Sequence, residues 1–314
     1  MANNDIIIPS PEDMARVKGL GFLRDKTTPN CFNCRVITRN GKITAEEASV
    51  IAEAAKHYGS GEVAMTTRQT VEIQRVPYEN VEPLVAFLKN AGLETGGTGA
   101  KVRPVVSCKG TTCVFGLIDT YDLSLRIHER FYRGYHSVKL PHKFKIAVSG
   151  CPNKCVKPDL NDLGVIGQRV PLIDCDKCRG CKVCQIEKVC PMGAAALRDG
   201  KLSIDSDECI NCGRCVGKCP FDAVSEKLTG YRVYVGGRWG KRSANGIPLS
   251  KVFTDSDEVL DVVEKAILFF RENGKAGERF ADTIARVGFE KAEREILSSE
   301  ILSRKEAILS KDLG

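Results

Sequence analysis

Fifteen cysteines in 314 residues, most of them in tight groups, set the chemistry this sequence could do. Two pairs lie in short stretches of the middle third: Cys108 and Cys113 in SCKGTTC, and Cys151 and Cys155 in GCPNKC. Thiolates are soft ligands for iron, and four of them delivered by two loops are enough to hold a cubane. Just ahead of the second pair, KFKIAVS carries Lys143 and Lys145 at alternate positions. Read as a strand, it points both lysines one way and Phe144, Ile146 and Val148 to an apolar side. One stretch, residues 143–155, therefore aims two cations and two thiolates.

A second thiol-rich region contains an internal repeat. Aligning DCDKCRGCKVC (174–184) with DSDECINCGRC (205–215) superposes Cys178, Cys181 and Cys184 on Cys209, Cys212 and Cys215. Each run then ends in a C-P, Cys190-Pro191 and Cys219-Pro220. This is the pattern of a bacterial ferredoxin with two 4Fe-4S clusters, in which the fourth cysteine of each run serves the other cluster. Cys178, Cys181 and Cys184 thus pair with Cys219, and Cys209, Cys212 and Cys215 with Cys190. A zinc ribbon would need only paired C-x2-C units and no C-P. The first run places five residues before its C-P where three are usual, and Cys175 falls opposite Ser206, which makes it the spare thiol.

The elements that must position these groups read as follows. Residues 1–30, with Pro9, Pro11 and Pro29, are expected to form an extended polar arm. CFNCRVITR reads as a strand, and Thr44 with Glu47 as a capping box for a helix from Ala45 to Tyr58 stopped by Gly59. EVAMTT and TVEIQRV read as strands, and a helix from Asn80 to Ala91 buries Leu84, Val85, Phe87 and Leu88. GGTGA (96–100) precedes a strand, KVRPVVS, rather than opening a helix, so it reads as a turn at a cofactor edge and not as a phosphate loop. From Cys113 an amphipathic helix is expected, with Val114, Leu117, Ile118, Tyr121 and Leu125 on one side. A strand and turn, GYRVYVGGRWGK, then a helix from Ser256 to Phe270 and the GERF segment, close the chain. Cys31 and Cys34 form a lone C-x2-C with no second pair, and read as reduced structural thiols.

The length suits about two domains and 42% apolar residues suit a real core. An odd number of grouped cysteines argues for metal ligation in a reducing compartment and against a secreted disulfide scaffold. No apolar run reaches the length of a membrane span and no signal peptide is visible, so the expectation is a cytoplasmic protein with no membrane span. The formal charge of +7 omits the thiolates a cluster requires, and no basic tract is interleaved with aromatics, so no nucleic-acid partner is expected.

LPHKFKIAVSGCPNKC, preceded by SCKGTTC and by MTTRQTVEI (65–73), resembles the sirohaem and iron-sulfur core of sulfite and nitrite reductases. The likeness covers nearly the whole chain and is strongest to the anaerobic C-subunit type, which also carries a ferredoxin insert. It implies an α+β fold: a ferredoxin-like half at 1–92, a sirohaem and 4Fe-4S domain at 93–168 and 227–314, and a dicluster ferredoxin insert at 169–226. The implied cofactors are sirohaem and three 4Fe-4S clusters, one in the core and two in the insert. Cys108, Cys113, Cys151 and Cys155 hold the core cubane, with Cys155 bridging to the sirohaem iron. Sulfite, or a related small anion, faces Arg68, Arg103, Lys143 and Lys145. The lysines are the expected proton donors, because crowding by cations lowers a lysine pKa, and the arginines are the clamps.

Two departures from the family pattern stand out. Cys108 and Cys113 enclose four residues where five are usual, and the chain holds one copy of a core that larger relatives carry twice. A homo- or hetero-oligomer with partner reductase subunits is therefore implied. No flavin or nicotinamide fingerprint is present, so the electron donor is expected to be another protein. Two other readings use the same residues: reduction of nitrite to ammonia, and an electron-transfer subunit that keeps the fold without sirohaem.

Overall fold

Ser10 and Asp13 cap each other's backbone amides around Pro11, and the chain turns there into a helix, α1 (Pro11–Gly19), instead of an extended arm. Val17 on this helix is fully buried. Proline is favoured in the first helical turn, where its missing N–H costs nothing, and Met14, Val17 and Leu20 recur at helical spacing. The structure, a computed structural model, describes residues 9–313, so the first eight residues of the expected arm lie outside it.

The chain divides into two units. One comprises residues 1–106, 124–146 and 267–314, the other 107–123 and 147–266. The first holds an antiparallel sheet of β1 (Phe22–Arg24), β2 (Cys31–Ile37), β3 (Val63–Met65), β4 (Val71–Pro77) and β5 (Glu94–Thr95), in the order β1-β2-β4-β3 with β5 also paired to β2. Against it lie α2 (Ala45–Tyr58), which starts with the Thr44/Glu47 capping box read from the sequence, and α3 (Val81–Asn90). Phe22, Phe32, Ile73, Leu84 and Leu88 form the shared core, with Val85 and Phe87 packed on its margin. Cys34 is buried in that core, and desolvation pushes its thiol far up, which keeps it protonated and inert. An aromatic cluster anchors the residues that follow Lys143: the Phe144 ring lies 5.9 Å from Phe270 and 5.1 Å from Phe280.

Three expected elements differ. Residues 114–119 are loop, and helix begins only at α4 (Thr120–Ile127), which widens into a π-helical turn over His128–Arg133. Its buried face is Leu123, Ile127 and Phe131, while Val114 and Phe115 are exposed. The apolar spacing was real, but its first members belong to a loop held by the Cys108 turn. The strand expected from Lys143 starts later, at β7 (Ile146–Ser149), and KVRPVVS yields only β6 (Val106–Ser107). Pro104 lacks the N–H that a continuous ladder needs.

The second sheet runs in the order β12-β11-β8-β7-β6, with β8 (Leu163–Ile173), β11 (Val224–Val235) and β12 (Ile247–Phe253) added to β6 and β7. β8 and β11 pair antiparallel from Leu163↔Val235 to Ile173↔Val224, and residues 174–223 form the connection at that end. This connection has a small core of its own, Cys178, Ile186, Ala195, Leu202 and Ala223. It also has a hairpin, β9 (Ala195–Arg198) with β10 (Lys201–Ile204). A long helix, α6 (Ser256–Asn273), follows the sheet, and α7 (Phe280–Val287) starts within GERF. Among the described residues no helix is long and apolar enough to cross a membrane.

Candidate metal and anion sites

β6 and β7 deliver the four middle cysteines. The Cys108 amide donates to the Val148 carbonyl at 3.1 Å, so the first loop leaves the sheet beside the second. The Gly150 amide in turn donates to the Cys108 sulfur at 3.1 Å. Cys151 responds to burial, which raises its pKa, to the Asn153 amide, which lowers it, and to like charge from Cys108, Cys155 and Cys113, which raises it further. The structure therefore gathers all four sequence-predicted thiols into one electrostatic group. Thiols that repel one another as thiolates are those whose deprotonation a multivalent cation rewards, and a backbone N–H aimed at sulfur suits a metal-bound thiolate. Cys155 is the exposed member.

Glycine makes this approach possible. A Cβ on Gly150 would lie 2.8 Å from the Gly110 Cα, and neither backbone can yield without moving a cysteine loop. Gly150→Ala is expected to destabilise the fold by roughly 1–3 kcal/mol and to reduce iron per chain, read together from the urea midpoint and iron analysis.

In the 174–223 connection, Cys209, Cys212 and Cys215 share electrostatics with Cys190. Burial is the largest cause pushing the Cys215 thiol up to about 11, with Cys209, Cys212 and Cys190 adding to it. Cys190 is shifted the other way: burial raises it, but the amides of Met192, Ala195, Ala194 and Gly193 together outweigh burial and lower it. The same four cysteines line one cavity with Met192 and Ile204. Cys178, Cys184 and Cys219 pack in the small core, where the Leu202 amide donates to the Cys178 sulfur at 3.3 Å, and Cys181 is half-buried. Among the described residues no three His, Cys, Asp or Glu side chains converge as ligands of a single ion. A cubane is held at separate corners, so thiols around a cavity suit it. Cys175 is exposed, with its carbonyl accepting from Lys201 Nζ at 2.8 Å. Cys175→Ser is expected to leave the iron content and the visible spectrum of the protein unchanged.

The cations lie in the first unit. An isolated parallel bridge joins Val102 to Phe144, with the Arg103 amide donating to the Phe144 carbonyl at 2.8 Å. Alternation then puts Arg103, Lys143 and Lys145 on the face opposite Val102 and Phe144, both of which are buried. The lysines therefore alternate as the sequence predicted, although the regular strand begins only after them. Arg68 sits in the turn after β3, and its Nη2 donates to the carbonyls of Pro104 and Ile146, the latter at 3.2 Å. It ties together the two stretches that carry Arg103 and Lys145.

Arg103 donates from Nη1 to the Gly97 carbonyl, and its buried Nε has no acceptor. Sequence reasoning missed a neighbour, Arg35. It donates to the same Gly97 carbonyl at 3.1 Å and to Glu72 at 2.7 Å. Burial, then Arg35, and to a lesser degree Arg279 bring the Arg103 pKa down to about 10, with Tyr132 opposing them. The signal available in the sequence was the alternation of Arg35 with the buried Cys34 and Val36 along β2. A partly buried guanidinium whose pKa is lowered by burial and then by neighbouring guanidiniums is a setting that suits a small dianion or a carboxylate.

The family described as the nitrite and sulphite reductase 4Fe-4S domain matches residues 98–305, and the nitrite/sulfite reductase ferredoxin-like half domain matches residues 24–91. The chain is 32% identical over 284 residues to the coenzyme F420-dependent sulfite reductase of Methanocaldococcus jannaschii, an alignment covering 90% of this chain and 43% of that protein. It therefore spans less than half the length of that relative. It is 29% identical to the anaerobic sulfite reductase C-subunit of Salmonella typhimurium, over 74% of this chain and 72% of the relative. The crystal structure of dissimilatory sulfite reductase I superposes with a TM-score of 0.67 at 24% identity, covering 85% of this chain and 69% of that one. The Mycobacterium tuberculosis NirA protein gives 0.66 at 18% identity, over 94% and 48%. The latter two show a shared fold. With matches to both parts of the family over most of its length, and thirteen of its fifteen cysteines within the matched 4Fe-4S region, this α+β chain belongs to the nitrite and sulphite reductase family.

Proposed function

We propose that this chain is the catalytic subunit of a sirohaem-dependent sulfite reductase, with electrons entering through a dicluster ferredoxin module at residues 169–226. The observation that carries the reading is the gathering of Cys108, Cys113, Cys151 and Cys155 into one group, with Cys151 six residues downstream of Lys145 along the chain. Those four thiols fit a 4Fe-4S cluster, and the electropositive setting of Arg103, with its unpartnered Nε, fits the carboxylates of sirohaem or a sulfite dianion. When bound, sirohaem and its cluster would supply an iron centre for the substrate and a relay for the electrons that the donor protein provides.

The chain's own residues do the rest. Arg103 and Arg68 orient the anion and stabilise charge on oxygen as each S–O bond breaks. Lys143 and Lys145 hold protons that the departing oxygen must take up to leave as water, a task for which arginine is too basic. Cys178, Cys181, Cys184 and Cys219, and Cys190, Cys209, Cys212 and Cys215, hold the two insert clusters. The partner is a protein electron donor, and related subunits complete the enzyme. Sulfite is favoured over nitrite as substrate because relatives matched over 90% and 74% of this chain carry sulfite reductase names, whereas two named as nitrite reductases match over 40% of it.

An absorption spectrum with iron and tetrapyrrole analysis of anaerobically purified protein tests this reading. Sirohaem bands together with iron for three clusters are expected. Iron-sulfur absorption alone, with no tetrapyrrole after reconstitution, would leave an electron carrier instead.

A further inference from the structure

The two thiol sets of the insert are not placed alike. The Cys209 run lies against β8: Arg169 bridges to Cys212, and its amide donates to the Asn211 carbonyl at 2.8 Å. Asn211 Nδ2 donates to Oε1 of the buried Gln168 at 3.3 Å. A Cβ on Gly213 would come within 2.6 Å of the Arg169 side chain, so the run passes over that side chain at a distance that glycine permits. Two residues back along β8, Gly167 meets Gly150, the residue before Cys151. A Cβ there would lie 2.4 Å from the Gly150 carbonyl oxygen. Gly150 precedes Cys151 and donates its amide to the Cys108 sulfur. Every link from Cys212 to Cys108 is thus a peptide, a hydrogen bond or a van der Waals contact within one unit.

The Cys178 run is placed differently. It packs under the β9–β10 hairpin, where Lys201 Nζ donates to the carbonyls of Cys175 and Cys178. Beside Cys184 and Cys219 of this run, Val183 and Phe221 are 56% and 45% exposed, and the Arg179 guanidinium lies 5.9 Å from the Phe221 ring centre.

We propose that the insert is polarised, with Cys190, Cys209, Cys212 and Cys215 the inner station, joined to the core thiols through Asn211, Gln168–Gly167 and Gly150, and the Cys178 set the outer station that meets the electron-carrier protein. This rests on the functional reading above. Each transfer moves one electron inward with no bond made or broken. The reductant is a one-electron carrier protein, and the final acceptor in this sequence is the centre held by the core thiols. Asn211 and Gln168 are positioning residues: they hold the inner set against β8, and Asn211 Oδ1 also accepts from the Cys209 thiol at 3.6 Å.

The test uses the intact, anaerobically loaded chain and low-temperature paramagnetic resonance. In the fully reduced protein the core signal should be broadened by its nearest paramagnetic neighbour. Cys209→Ser is expected to remove that broadening, and Cys184→Ser to keep it while abolishing rapid reduction by a reduced bacterial ferredoxin used as probe. The reverse pattern, or equal loss in both variants, overturns the order. Asn211→Gly retains every thiol and suits a backbone with φ of +53°. With unchanged iron, it should slow the appearance of the core signal after mixing with reduced ferredoxin while the outer signal rises at the normal rate. Normal rise of both signals would also overturn the proposal. Absence of insert iron from the unaltered protein would instead sink the dicluster reading at the loading step, before any order is measured.

Discussion

Replacing Lys143 and Lys145 together by Met should leave iron and sirohaem content intact and lower sulfite turnover on the order of 100-fold, since losing a preorganised charge donor costs about 3 kcal/mol of barrier stabilisation. The fold should tolerate the change. Both lysines are only partly buried and flank Phe144, whose packing on Phe270 and Phe280 holds the segment. Methionine keeps the length and apolar stem of lysine while removing the charge and the transferable proton. The effect should fall on kcat more than on sulfite binding, because Arg103 and Arg68 remain to hold the anion. Steady-state kinetics with a viologen donor measure the split, and a kcat equal to that of the unaltered enzyme would remove both lysines from the chemistry.

The second large effect is expected at Cys155. Exchange to Ser replaces a soft thiolate by a hard hydroxyl that binds iron poorly. Cys155 shares its electrostatic group with Cys151, Cys108 and Cys113. The Cys155→Ser protein should therefore lose one cluster's worth of iron and its sulfite reduction while the insert still takes up electrons from reduced viologen. The comparison is Cys209→Ser, which should damage the insert and leave the core centre assembled. Iron analysis and low-temperature paramagnetic resonance on the two variants side by side decide it. Full iron and normal turnover in Cys155→Ser would show that the core centre is held by another residue.

Much of the site could be read from residue order alone, since iron-sulfur ligation depends on thiols closely spaced in short turns. SCKGTTC, GCPNKC and the second run of the insert carry cysteines spaced closely enough for local geometry to bring them together, and in the structure Cys108, Cys113 and Cys155 act on Cys151, and Cys190, Cys209 and Cys212 on Cys215. The alternation of Lys143 and Lys145 about Phe144 was equally local. The capping box at Thr44 and Glu47 fixed the start of α2 for the same reason.

Other features depended on partners far away in the chain. Ser10 to Gly19 looked like an arm because its prolines suggested extension, yet a short helix forms where Val17 finds the core of Phe22 and Leu84. The loop at 114–119 had helical spacing but no surface to bury Val114 and Phe115. Arg35 was invisible as a site residue because its importance comes from meeting Arg103 at the Gly97 carbonyl, 62 residues along the chain. The unequal placement of the two insert thiol sets was also beyond a repeat whose halves look alike. Residue order alone says which atoms can ligate and which can donate a proton, because those are properties of side chains at short range. The close passage of Gly167 by Gly150, and with it the side of the insert that faces the core thiols, arises only once β8 and β7 are brought into one sheet.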